Sequence, residues 1–235
     1  MKVALVTGSE GGIGAASRQA FEAAGYSVVG ADLAANADVV ADVATVEGAR
    51  LAVRTAVERH GRLDAVVTTH GISGRPFGDG PVTQCTDEGW DTVLAVNLRS
   101  VFYVCREAVP GLVDAGGGAI VAVGSIHGLV GGDRDFATHA YAASKAGLVG
   151  LIRAVAVHYA SDGVRANVVA PGLVRTPMSR RAQGDAGILR RLPELQPLGA
   201  TFIEPEDVAA AALYLAQAER VTGTVLVVDA GWTAQ

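Results

Sequence analysis

The chain has 235 residues and a net charge of −5, with no block of lysines or arginines, which argues against a nucleic-acid footprint. Half of its residues are hydrophobic and only 18% are charged, so a large core can be buried and disorder is excluded. Cys85 and Cys105 form no CxxC pair or ligand cluster, so no metal site is suggested and a reducing, cytoplasmic setting is the simplest fit. No uninterrupted apolar run reaches the ~18 residues of a membrane span, since Arg153 interrupts the best candidate, and the N-terminal apolar run is too short for a signal peptide.

That run, Lys2 to Thr7, reads instead as a buried parallel strand. Thr7-Gly8-Ser9-Glu10-Gly11-Gly12-Ile13-Gly14 follows, and then an Ala-rich helical pattern to Ala24. Glycines at 8, 12 and 14, between a strand and a helix, let backbone N–H groups approach a pyrophosphate at the helix N-terminus; the alternative is a plain tight turn. A second strand, Tyr26 to Ala31, ends at Asp32, 18 residues past Gly14. There a carboxylate can bind ribose hydroxyls and repels a 2′-phosphate, unless it is only a solvated strand end. Glu10 is acidic too, and Leu33 stands where an arginine could hold that phosphate, so NAD is favoured over NADP. Ala37 to Ala41 predicts a short third strand, after which Asp42 and Val43 could meet the adenine or belong to an ordinary loop. A helix over Val46–His60 leads to a fourth strand, Leu63–Thr69. This alternation implies a parallel sheet with right-handed crossovers.

Asp87 to Val109 predicts a long helix with an N-cap at Thr86 or Asp87; Asn97 lies inside it, and Trp90, Phe102 and Cys105 read as core. Ala119–Gly124 is a fifth strand, and Ser125 stands at its C-terminal end, where open α/β sheets bind ligands. The loop over 128–137 offers Leu129 and Phe136 as pocket walls. Tyr141 and Lys145 then fall four apart on a predicted helix running to about Tyr159, which puts a phenol and an ammonium on one face. A nearby cation lowers a phenol's pKa from near 10, making it a usable acid and base. His127, His139 and His158 have no metal spacing and read as surface or packing residues. Val164–Ala170 is a sixth strand, ended by Pro171-Gly172. A Gly/Pro/Arg-rich segment over about 173–200 fits a mobile substrate lid; its Arg180, Arg181, Arg190 and Arg191 either hold an acidic substrate or form a solvated face. A helix from Glu204 to about Gln217 and a last strand, Val225–Asp229, complete the chain, with no repeat or second domain.

Taken together, the TGxxxGIG turn from Thr7 to Gly14, Asp32, Asp42-Val43, Asn97, Ser125, the YxxSK stretch from Tyr141 to Lys145, and Pro171-Gly172 with Thr176 resemble the short-chain dehydrogenases/reductases over nearly the whole chain. The resemblance implies a Rossmann-type, doubly wound sheet of seven parallel strands in the order 3-2-1-4-5-6-7, and assembly as a homotetramer or homodimer. It implies a dinucleotide held by Gly8, Gly12, Ile13, Gly14, Asp32, Asp42, Val43, Gly71, Pro171, Gly172, Val174 and Thr176, with Tyr141 and Lys145. It also implies that Asn97 kinks its helix and holds a water relaying protons to Lys145, and that Ser125 orients a substrate carbonyl beside Tyr141. One stretch departs. Where the family usually has Asn-Asn-Ala-Gly, this chain has Thr68-Thr69-His70-Gly71, and His70 either fills space or touches the cofactor ribose. The activity implied is NAD-dependent interconversion of a secondary alcohol and a ketone. A non-catalytic dinucleotide sensor and a lyase or epimerase on the same scaffold are the competing readings.

Overall fold

The computed structural model describes residues 1–235. Seven strands, β1 (Val3–Thr7), β2 (Ser27–Asp32), β3 (Val39–Val40), β4 (Ala65–Thr68), β5 (Gly118–Val123), β6 (Val164–Pro171) and β7 (Val225–Val228), form one sheet in the order β3-β2-β1-β4-β5-β6-β7. Every pairing is parallel, with Thr7 opposite both Ala31 and Thr68. This is the Rossmann-type order expected.

Side chains alternate between the two faces of each buried strand, so one apolar run feeds two cores. Val3, Leu5, Val66 and Ile120 meet helices α2 (Val46–His60), α4 (Ser100–Asp114) and α5 (His139–His158). Ala4, Val6, Val67 and Val121 meet α1 (Gly12–Ala23) and α8 (Pro205–Gln217), where Phe21, Val208 and Leu215 are buried. By length and composition α5 could cross a membrane, but Leu148, Val149, Ile152 and Ala156 pack on the sheet.

Differences from the sequence reading have local causes. The third strand shrinks to two residues because the Asp38 carboxylate, rather than a ladder partner, accepts from Gly30 N at 2.8 Å. The fourth starts late because Asp64 accepts from Val3 N at 2.8 Å through its side chain. The long helix is capped by Thr86, which accepts from Gly89 N at 3.0 Å. It runs as α3 (Asp87–Leu94), a π-helical turn over Ala95–Arg99, and α4, continuing through Pro110 because Leu112 anchors the last turn in the core. Cys105 is buried as expected, but Trp90 and Phe102 are 41% and 43% exposed, Phe102 lying under the Arg106 guanidinium. The segment expected to be a mobile lid forms a short α6 (Arg180–Gly184) and α7 (Ala186–Leu195), with Ala182, Ile188, Leu192, Leu195, Phe136 and Phe202 as a small core of their own.

Candidate active site

The glycine turn leaves the start of α1 open. Gly8 has φ +74°, and a Cβ there would come within 2.8 Å of the His70 backbone. A Cβ on Gly14 would sit 1.8 Å from Gly8 O, and one on Gly12 would sit 2.6 Å from Thr176 Cγ2. Gly11 precedes the helix with no side-chain cap, so the first N–H groups of this twelve-residue helix are free to bind an anion. A cleft of about 320 Å³ runs over this turn, bringing together Gly8, Gly12, Ile13, Gly14, Asp32, Asp42, Val43 and Gly71. Asp32 stands at its edge, accepting from Glu10 N and Ala34 N, each at 3.0 Å, with lone pairs left for hydroxyl donors. The cleft fits a dinucleotide: bare backbone where phosphates need close approach, and a carboxylate where ribose hydroxyls need an acceptor. Gly14→Ala is expected to weaken dinucleotide binding about ten- to a hundredfold, since the new methyl cannot enter without moving backbone. An NADH fluorescence titration checks this, and an unchanged Kd would overturn it.

A second cleft, of about 430 Å³, joins the first along Ile13, Thr69, His70, Gly71 and Thr176. It is lined by Ser125, Tyr141, Lys145, Pro171, Gly172, Val174 and Thr176. Tyr141 stands in the first turn of α5, which is capped from 62 residues away: the buried Asp79 carboxylate accepts from Ala140 N at 3.0 Å and Tyr141 N at 2.9 Å. No local signal beyond the Gly-Asp-Gly turn marked this residue.

Lys145 is on the same face as Tyr141, with Nζ 5.7 Å from the ring centre, as the four-residue spacing predicts. Its ammonium donates to Val123 O at 2.8 Å and not to the phenol. Burial pushes Lys145 down from 10.5 to about 8. Burial also holds Tyr141 above the ordinary tyrosine value, with a hydrogen bond to Ser125 pulling the other way. The expected depression of the phenol's pKa by Lys145 is therefore not present in this form, because the lysine is turned toward the end of β5.

Asn97 is buried in the π-helical turn, so the expected distortion of its helix is there. Its side chain clasps one peptide, accepting from Ile72 N at 2.8 Å and donating to Ile72 O at 3.0 Å, with a further contact to Ser144 Oγ at 3.3 Å.

Beyond β6, Gly172 is confined by Gln196, whose Oε1 would meet a Cβ there at 2.5 Å. Gln196 is buried, accepts from Leu173 N at 2.6 Å and donates to Thr201 O at 2.7 Å, tying the end of α7 to the turn. Phe136 lines the second cleft as expected. Leu129 does not: it is exposed, because the turn over Ile126–Gly128 carries it outward. His127 and Trp232 line the cleft instead, each packed against Phe136 with ring centres 5.5 and 5.1 Å away. Of the four lid arginines, Arg180 and Arg181 reach this cleft; Arg190 and Arg191 do not.

The family model described as enoyl-(acyl carrier protein) reductase matches residues 8–233. The chain is 34% identical to a D-threitol dehydrogenase from Mycolicibacterium smegmatis, covering 99% of this chain and 93% of the relative. It is 36% identical to a cis-4-hydroxycyclohexanecarboxylate dehydrogenase from Sinomonas cyclohexanicum, covering 99% and 97%. A solved short-chain type dehydrogenase/reductase from Mycobacterium ulcerans superposes with a TM-score of 0.91 at 28% identity, covering 100% of this chain and 90% of that one. The chain belongs to the short-chain dehydrogenase/reductase family. It is an oxidoreductase of the kind that works on alcohols and ketones with a nicotinamide dinucleotide, and its substrate is a small molecule.

In this short-chain dehydrogenase/reductase the atypical Thr-Thr-His-Gly stretch has a defined structure. Ser100 Oγ gives its one hydrogen to Val96 O at 2.5 Å, so it can only accept from His70 Nε2, 2.7 Å away. His70 Nδ1 is then the bare nitrogen and accepts from Thr7 Oγ1 at 2.6 Å. Thr69 Oγ1 adds a bond to Thr7 O at 2.8 Å. His70 thus does more than fill space: it braces the end of β1 against the π-helical turn. Burial, and then the charge of Lys145, push it down from 6.5 to about 3, so it is neutral.

Proposed function

We propose that this enzyme interconverts a secondary alcohol and a ketone using NAD rather than NADP, with Tyr141 as the acid and base. The observation that supports it most is the convergence of Ser125, Tyr141 and Lys145 on a cavity continuous with the glycine cleft. Gly8, Gly12, Ile13 and Gly14 would hold the pyrophosphate, Asp32 the adenosine ribose, and Asp42 and Val43 the adenine. Gly71, Tyr141 and Lys145 would take the nicotinamide ribose, and Pro171, Gly172, Val174 and Thr176 the carboxamide end. When bound, the dinucleotide supplies or accepts the hydride. Tyr141 Oη gives its proton to the carbonyl oxygen during reduction, and Ser125 Oγ steadies the charge developing there. Lys145 Nζ keeps a cation beside the phenol, while Asn97 fixes the Ile72 peptide and supports the proton relay.

The preference for NAD rests on charge. Asp32 would face a 2′-phosphate, and Arg18, a nearby cation, is occupied by Glu10 at 3.5 Å, Glu22 at 3.1 Å and Asp38 at 3.0 Å. The whole chain would act as one dinucleotide-binding unit with a lid over 173–200. Two free cysteines suit a cytoplasmic setting, and half-exposed Phe102 with exposed Val157 on α4 and α5 suits a homo-oligomer, a tetramer or dimer. Secondary alcohols and ketones assayed with NAD and NADP in parallel test the reading. NAD is expected to give about tenfold or more higher kcat/KM, a gap that Asp32→Asn narrows. Preference for NADP would overturn the cofactor assignment, and absence of turnover across the panel would overturn the activity.

A further inference from the structure

The mouth of the second cleft carries an unusual concentration of positive charge on an acidic protein. Arg75, on the short turn before Asp79, lines it together with Arg180 and Arg181 of the lid. A single oxygen, the carbonyl of Asp135, accepts from Arg75 Nη2 at 2.8 Å and from Arg181 Nη2 at 2.7 Å, so two guanidiniums are held close together. Like charges at that separation repel. Burial first, and then the charge of Arg181, lower the pKa of Arg75, and the charges of Asp79 and Asp135 offset this only in part.

The acids that would neutralise such a cluster are already committed. Asp133 and Asp135 both direct their carboxylates at Arg191, which does not line the cleft. Asp79 spends its carboxylate on the N–H groups of Ala140 and Tyr141. Asp185 caps α7 through Gly187 N and Ile188 N and approaches Arg181 only at 3.8 Å. Arg180 has no hydrogen-bond or ion-pair partner in the structure and is exposed at the cavity. This charge cannot serve the adenosine end of a dinucleotide, since Asp32 and the glycine turn line the other cleft. Guanidinium forks match carboxylates in pairs of parallel hydrogen bonds.

Resting on the reading that Tyr141 faces the reacting alcohol, we propose that the substrate is a small hydroxy or keto acid whose carboxylate is gripped by Arg75, Arg180 and Arg181. The aromatic group of His127, Phe136 and Trp232 forms the apolar wall for the carbon skeleton between the two ends.

The test compares cis-4-hydroxycyclohexanecarboxylate with its methyl ester, which keeps the ring and hydroxyl but removes the charge. The unmodified enzyme is expected to favour the acid by about tenfold or more in kcat/KM, mostly through KM. Arg75→Met, Arg180→Met and Arg181→Met should each cut kcat/KM for the acid by a larger factor than for the ester, while Arg190→Met, outside the cleft, leaves the acid-to-ester ratio alone. Calorimetry of cyclohexanecarboxylate with the NADH-loaded enzyme gives a readout free of turnover: binding is expected in the parent and weaker in Arg180→Met. Equal kcat/KM for acid and ester, or no binding of cyclohexanecarboxylate at millimolar concentration, overturns the proposal. Turnover of neutral secondary alcohols in that case leaves the dehydrogenase reading standing, so the two failures are separable.

Discussion

Tyr141→Phe is expected to lower kcat/KM by about 10²–10⁴-fold while leaving the melting temperature and the Kd for NADH nearly unchanged. The substitution deletes one hydroxyl. The ring that Lys145 overlies is kept, and the Asp79 cap on the first turn of α5 acts through backbone N–H groups that phenylalanine also has. What is lost is the hydroxyl beside Ser125 that we propose as the proton donor. Burial keeps that phenol protonated through the physiological range, so the free enzyme is poised as an acid for ketone reduction. The cation beside it has a narrower range: Lys145 is pushed down to about 8, so it is charged below that pH and loses its charge above it. Reduction should therefore decline as pH rises through about 8. A steady-state pH profile of parent and variant reads both effects, and wild-type turnover in Tyr141→Phe would refute the assignment.

The second large effect concerns His70. Its pKa is depressed in the folded state, from 6.5 to about 3, so the unfolded chain binds a proton between those values that the folded chain refuses. Stability must fall as pH drops through that window, by about 1.4 kcal/mol per pH unit from this one group. At neutral pH the imidazole stabilises the fold through its bonds to Thr7 and Ser100. His70→Ala is expected to cost about 1–3 kcal/mol there, because the buried Thr7 hydroxyl loses its acceptor and Ser100 Oγ, which keeps Val96 O, loses its donor. Below pH 6 the variant should have the shallower slope, so the two stability curves converge. Urea denaturation from pH 4 to 8 measures this. Parallel curves would show that His70 is not held neutral.

The scaffold was legible because its signals are local. Continuous apolar runs, glycines at 8, 12 and 14, and Asp32 at a fixed distance each speak within one strand–turn–helix unit. So does the pairing of Tyr141 with Lys145 on one helical face. The parts that were not legible act across the fold. Asp79 caps a helix 62 residues on, and Gln196 fastens a turn 23 residues back. Neither residue type announces such a partner. Arg75 carries no local signal for the same reason: only folding brings it to the oxygen that Arg181 also uses. Leu129 faces outward because the direction of a loop side chain is decided by the turn beneath it, and the lysine ammonium is held by Val123 O, an acceptor that only the packing of α5 on β5 supplies.

The carboxylate of Asp79 has a consequence for how this enzyme can change. The segment that bears it begins with Arg75, at the rim of the pocket, and ends on the backbone N–H of Tyr141, the proposed proton donor. The proposed recognition and the proposed chemistry are thus strung on one short piece of chain. A transplanted rim loop lacking that acid would leave the donor's helix uncapped, whatever substrate it was chosen to accept. Any redesign or natural drift in specificity on this side of the pocket has to carry the aspartate along, which makes residues 75–79 a single inherited unit.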